Sequence, residues 1–137
     1  MIVIDASALA AYVLREEGFE EVSEYLRRYR TISIDLVAKE VANAIIVALK
    51  RGRIDARSAE RAFKALLIML NTIIELYPQR ELLEDAFSIA TSMGLTIYDS
   101  LYIALAKRMQ ALLLTKDRKQ YEAAKTMNIT ARLIGME

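Results

Sequence analysis

The sequence predicts a three-layer α/β/α fold around a central, mostly parallel sheet of four or five strands. Short apolar, β-branched runs alternate with longer segments of helical spacing, the pattern of parallel α/β proteins. A single Pro and four Gly leave no linker at which to divide the chain, so one domain is expected over residues 1–137.

MIVID opens the chain as a short apolar run suited to a strand buried on both faces. ASALAAYVLRE follows with helical composition, and Gly18 punctuates its end. Phe19, Val22, Tyr25, Leu26 and Tyr29 recur at helical spacing. Thr31–Ile34 is β-branched and short, hence a strand. Asp35 is read as the N-cap of a long helix, Leu36 to Arg51, closed by Gly52. Asp55 opens the next helix, which runs to about Asn71, and TIIEL is strand-like. Pro78 suits the first turn of a helix from Gln79 to Met93, stopped by Gly94. A further helix covers about Tyr98 to Met109, and Ala111–Thr115 reads as a buried strand. DRKQYEAAKTM is a short helix and TARLI a final strand. Right-handed crossovers would set helices on both faces of the sheet.

Composition excludes several chemistries. There is no Cys, so disulfides, thiolate–zinc sites and Cys nucleophiles are ruled out. There is no His, which removes the commonest general base and nitrogen ligand. A net charge of +1 does not describe a nucleic-acid coat. No apolar run reaches the ~18 residues of a membrane span, and Met1 leads into IVIDAS without a basic leader. A soluble, cytoplasmic protein with no membrane partner is expected. The hydrophobic share, 55%, exceeds what one small core requires and suggests a subunit interface.

Most acids belong to solvated faces, but four do not. Asp5 ends the first strand, and Asp117 lies just past the fourth. Parallel sheets bind ligands outside the carboxyl ends of their strands. Glu40 sits one turn into the helix after the second strand, among Val37, Ala38, Val41 and Ala42. That helix is apolar nearly all round and is expected to be largely buried. Asp99 starts the helix YDSLYIALA. Each acid has a second reading: Asp5, Asp99 and Asp117 as helix caps, Glu40 as half of an internal ion pair. Their shared edge carries the signal. Clustered carboxylates raise one another's pKa, a conflict that a divalent cation removes. With oxygen ligands alone, Mg²⁺ or Mn²⁺ fits, and phosphoester hydrolysis by metal-activated water is the chemistry favoured.

VIDASALAAYVL, LVAKEVANAI, TIYDSLYIALAK and LLTKDRKQYEAA, in that order along essentially the whole chain, resemble the PIN domain, in particular VapC-type toxins. The resemblance implies a Mg²⁺- or Mn²⁺-dependent endoribonuclease, the toxin of a type II toxin–antitoxin pair. It matches the family's catalytic, metal-holding acids to Asp5, Glu40, Asp99 and Asp117. It matches Ser7 and Thr115 to hydroxyl positions that orient carboxylates or water from behind. Asn43, one turn beyond Glu40, fits a polar position of the family; a bond to neighbouring backbone is the alternative. A cognate antitoxin and a homodimer are the implied partners.

RNA binding requires cations near the groove. Arg15, Lys39, Lys116, Arg118 and Lys119 flank the acids, with solvated surface charge as the alternative. Tyr98 and Tyr102 flank Asp99; core packing is preferred to base stacking for both. The stretches VANAIIVAL and ALLIMLN are the expected dimer contacts, with plain core as the alternative. Three competing readings are a solitary PIN nuclease in RNA processing, a receiver-like regulator and a non-catalytic RNA-binding domain. TIIELYP lacks the acceptor Asp that a receiver needs.

Overall fold

The computed structural model describes residues 1–135. Strands β1 (Ile2–Ile4), β2 (Thr31–Ile34), β3 (Ile74–Tyr77), β4 (Leu112–Thr115) and β5 (Ala131–Leu133) form one sheet in the order β3-β2-β1-β4-β5. Every neighbouring pair is parallel. The helices are α1 (Ala6–Val13), α2 (Phe19–Arg28), α3 (Leu36–Lys50), α4 (Ala56–Thr72), α5 (Leu83–Met93), α6 (Ile97–Met109) and α7 (Arg118–Thr126). The fold is the three-layer α/β/α sandwich that the sequence predicts.

Topology accounts for the layers. The chain moves outward from β1 through β2 to β3, then crosses back to β4 and β5 on the other side. Right-handed crossovers therefore put α1–α4 on one face and α5–α7 on the other. Packing follows that division: α1 contacts α2, α3 and α4, while α6 contacts α5 and α7. The central strands β1 and β4 are short and apolar because both of their faces are covered. α6 lies against β1, β2 and β4, and its run from Ser100 to Ala106 is buried throughout.

Four local expectations change. Asp35 does not cap α3: its backbone is already helical and its carboxylate accepts from the amide of Gln79 instead. It ties the start of α3 to the segment after β3. α4 continues to Thr72, so β3 starts two residues later than TIIEL suggested. Asn71 and Thr72 donate to the carbonyls of Leu67 and Ile68, which keeps that last turn helical. Pro78 precedes a 3₁₀ turn, Gln79–Leu82, before α5 begins at Leu83. Finally, α3 is not buried all round. Val37, Val41, Ile45 and Ala48 form its inner stripe, while Ile46 and Leu49 are exposed.

Gly18 precedes α2 with φ +96, and a Cβ placed there would lie 2.4 Å from Cγ2 of Ile134. Both the backbone and the space exclude a side chain. Gly18→Ala is expected to destabilise the protein by more than ~1 kcal/mol, read as a lower urea midpoint.

Candidate active site

The strand order reverses between β1 and β4. In open parallel sheets a crevice forms outside the carboxyl ends of the strands at that switch point. Asp5 is the residue after β1 and Asp117 lies two residues after β4. The two elements are joined here, since the amide of Asp5 donates to the Leu114 carbonyl.

Asp5 is 2% exposed and N-caps α1. Its Oδ1 accepts from Ser7 Oγ at 2.7 Å and from the Ala8 amide at 2.9 Å. Its Oδ2 accepts from the Thr115 hydroxyl. Thr115 Oγ1 accepts in turn from the Asp117 amide at 3.0 Å, and Ser7 Oγ accepts from the Lys116 amide at 2.8 Å. Ser7 and Thr115 therefore clamp the end of β4 to the carboxylate that ends β1. Asp117 caps α7, with Oδ1 accepting from the amides of Lys119 and Gln120.

Asp99 lies in the first turn of α6, where Thr96 rather than Asp99 is the cap. The carboxylate is thus free of capping duty and sits in the positive potential of the helix start. Glu40 stands on the first turns of α3, half-buried, and its Oε1 accepts from the Tyr102 hydroxyl at 2.5 Å. Core packing is only part of the role of Tyr102. It is buried, but it also reaches the acids. Tyr98 corrects the opposite way: it is 54% exposed and does not belong to the core.

Electrostatics link the acids in a chain. Burial first, and then the charge of Asp117, push the Asp5 carboxyl up to about 6 against three hydrogen bonds that lower it. Asp99 is raised by burial and by Asp117, while Lys119 pulls it down. Glu40 is raised by burial and by Asp99, while the Tyr102 bond pulls it down. The Tyr102 hydroxyl is driven well above its ordinary range by burial and by its bond to Glu40, with Asp5 and Asp99 adding to the effect. The four acids thus share one field.

They do not close on one point. Among the described residues no three acidic side chains converge to liganding distance. The acids are coupled across the rim rather than gathered into a preformed ligand cluster. The donor set nonetheless fits a hard divalent cation. It consists of oxygen alone, and an ion such as Mg²⁺ takes only a few carboxylates and completes its sphere with water or phosphate oxygens.

The remaining positions divide. Lys116 is partly buried and Arg118 and Lys119 are exposed beside Asp117, while Lys39 is exposed beside Glu40. None of these four forms an ion pair among the described residues. Arg15 is not brought to the acids. α1 carries it roughly 15 Å along the helix from Asp5, and it neighbours Glu16, Glu17 and Glu20. Asn43 is exposed and its side chain makes no hydrogen bond among the described residues.

The sheet order distinguishes the competing folds. A receiver-like sheet runs 2-1-3-4-5, whereas this one runs 3-2-1-4-5. The family model of the PIN domain matches residues 2–126. The chain belongs to the PIN domain family. A relative named ribonuclease VapC3, from Pyrobaculum aerophilum, is 34% identical over 122 residues, covering 88% of this chain and 92% of the relative. A second from the same organism, named exonuclease VapC9, is 28% identical and covers 85% of this chain and 80% of the relative. The solved structure of Mycobacterium tuberculosis VapC20, described as a sarcin-ricin loop cleaving toxin, superposes with a TM-score of 0.68 at 18% identity. That match covers 90% of this PIN domain and 95% of VapC20.

Asp5 also predicts a pH dependence. Its folded pKa lies above its unfolded value, so its ionisation opposes folding. The stability it contributes is complete below about pH 3.8 and is lost as pH rises through about 6. Asp5→Asn should therefore be more stable than wild type at pH 7 in the absence of metal, by about 3 kcal/mol at most. The advantage should vanish near pH 4, as read from paired melts at both pH values.

Proposed function

We propose that this PIN domain is a Mg²⁺- or Mn²⁺-dependent endoribonuclease and the toxin of a type II toxin–antitoxin pair. The observation that carries the reading is the electrostatic coupling of Asp5, Glu40, Asp99 and Asp117 at the switch point of a PIN-domain sheet. The names of its relatives support nuclease chemistry, and the description of VapC20 as a toxin supports the cellular role.

A bound divalent ion would supply water activation at neutral pH and offset negative charge at phosphorus. Asp5, Asp99 and Asp117 are its proposed ligands, with Glu40 acting directly or through water. Ser7 and Thr115 hold Asp5 in one rotamer, so that its orientation does not depend on the ion. Asn43 stands on the Glu40 side of the groove for a contact to substrate or water. Lys39, Lys116, Arg118 and Lys119 meet RNA phosphates around the acids, without sequence preference of their own. Hydrolysis then proceeds by direct attack of water, with no covalent enzyme intermediate.

A cognate antitoxin is the proposed regulator in the cytoplasm, its acid-facing segment competing with RNA for the same cations. The exposed Ile46 and Leu49 of α3 and Phe63, Leu67 and Ile68 of α4 are the proposed homodimer surface.

Purified protein should cleave RNA with Mn²⁺ or Mg²⁺ and stop with EDTA. Asp5→Asn and Asp99→Asn should each lower the rate about 100-fold or more. Cleavage that persists in both variants would assign the activity to a contaminant. Discrete internal fragments on a gel are expected; mononucleotides released from an end would favour the exonuclease chemistry for which the second relative is named. Phe63→Lys with Ile68→Lys should convert a dimer to a monomer in light scattering and leave the fold intact.

A further inference from the structure

The four acids are anchored in different ways. Asp5 and Asp117 lean on backbone amides and short hydroxyls close at hand. Asp99 has a short side chain on a rigid helix start. Glu40 has neither advantage. It carries the longest side chain of the four, it is only half-buried, and fixing a free Glu costs rotamer entropy. Its one hydrogen bond among the described residues comes from Tyr102, 62 positions later and on the opposite face of the sheet.

Tyr102 is suited to that task. It is 1% exposed, so its ring is fixed by packing. It lies one turn beyond Asp99 and therefore on the same face of α6. A phenol is protonated at neutral pH and serves as a donor to a carboxylate. The bond occupies Oε1 of Glu40 and leaves Oε2 available. α6 thus contributes one acid of its own and fixes a second that belongs to α3.

We propose that Tyr102 is a positioning residue: it fixes Glu40 through Oε1, and the affinity of the site for a divalent cation depends on this hydroxyl although it does not touch the ion. The inference rests on the reading of Glu40 as part of the ion site. A purely structural Tyr102, whose buried hydroxyl simply needs an acceptor, would behave differently. Its loss would alter the stability of the fold and leave ion binding alone.

Mn²⁺ titration of the full chain, with free ion followed by electron paramagnetic resonance, separates the two. Tyr102→Phe keeps the ring and is expected to weaken Mn²⁺ binding about tenfold. Glu40→Gln should weaken it at least as much, and the double variant should bind no worse than Glu40→Gln alone. Glu40→Asp, too short to reach the hydroxyl, should match the loss and be indifferent to Tyr102→Phe. It serves as the test from the other side if Tyr102→Phe folds poorly. Wild-type Mn²⁺ affinity in Tyr102→Phe, with loss in Glu40→Gln, would overturn the role of Tyr102 and leave the functional reading standing. Wild-type affinity in both would remove Glu40 from the ion site and overturn the two together.

Discussion

The buried carboxylate of Asp5 is the constraint on which this molecule depends. It stands where β1 and β4 part, and three donors from both strands' extensions close on it. Those bonds orient the acid, cap α1 and hold the end of β4 in register with β1. The same bonds do not make the position comfortable: the carboxyl remains raised to about 6 because burial outweighs them. A fold that keeps an acid there does so at a cost to its own stability. Functional sites are where such costs are found.

The rest of the site extends outward from Asp5, which is buried, to Asp117, Asp99 and Glu40, which are half-buried. Asp117 is tied to it through Thr115, Asp99 is coupled to Asp117, and Glu40 to Asp99. One end of this chain of charges is locked into the sheet, and the other stands on helices at the rim. The inner end is held by hydrogen bonds from Ser7, Ala8 and Thr115. At the outer end, Glu40 accepts one hydrogen bond among the described residues, from the Tyr102 hydroxyl. This contrast suits the proposed centre, which would hold an ion at its inner end and admit RNA at its rim.

Much of this is legible in the sequence, and for a definable reason. The succession of strands and helices can be inferred from short apolar runs between helical segments, and parallel sheets put their ligands at one edge. Asp5 and Asp117 follow from that rule directly. Glu40 is conspicuous because its neighbours along the helix are apolar. Tyr102 is different: nothing in YDSLYIALA separates a tyrosine that only fills space from one whose hydroxyl meets an acid on another helix. That distinction lives in tertiary contact alone. Asp35 fails for a related reason. Local chemistry favours a cap, and a more distant amide, Gln79, claims the carboxylate. Arg15 reads as a neighbour of the acids because it is near Asp5 in sequence, but α1 spends that proximity on length.

The clamp between Thr115 and Asp5 joins residues 110 positions apart. β1 and α1 leave the ribosome early, but their carboxylate has no partner strand until β4 is made. Long-range parallel pairing of this kind forms late in folding, and during synthesis the amino-terminal portion of a chain emerges first. The acidic centre is therefore assembled only after β4 has been made. A truncated or still-growing chain carries three of the four acids without the geometry that makes them a site. The acids that follow β1 and stand on α3 and α6 wait for β4 before they share one edge.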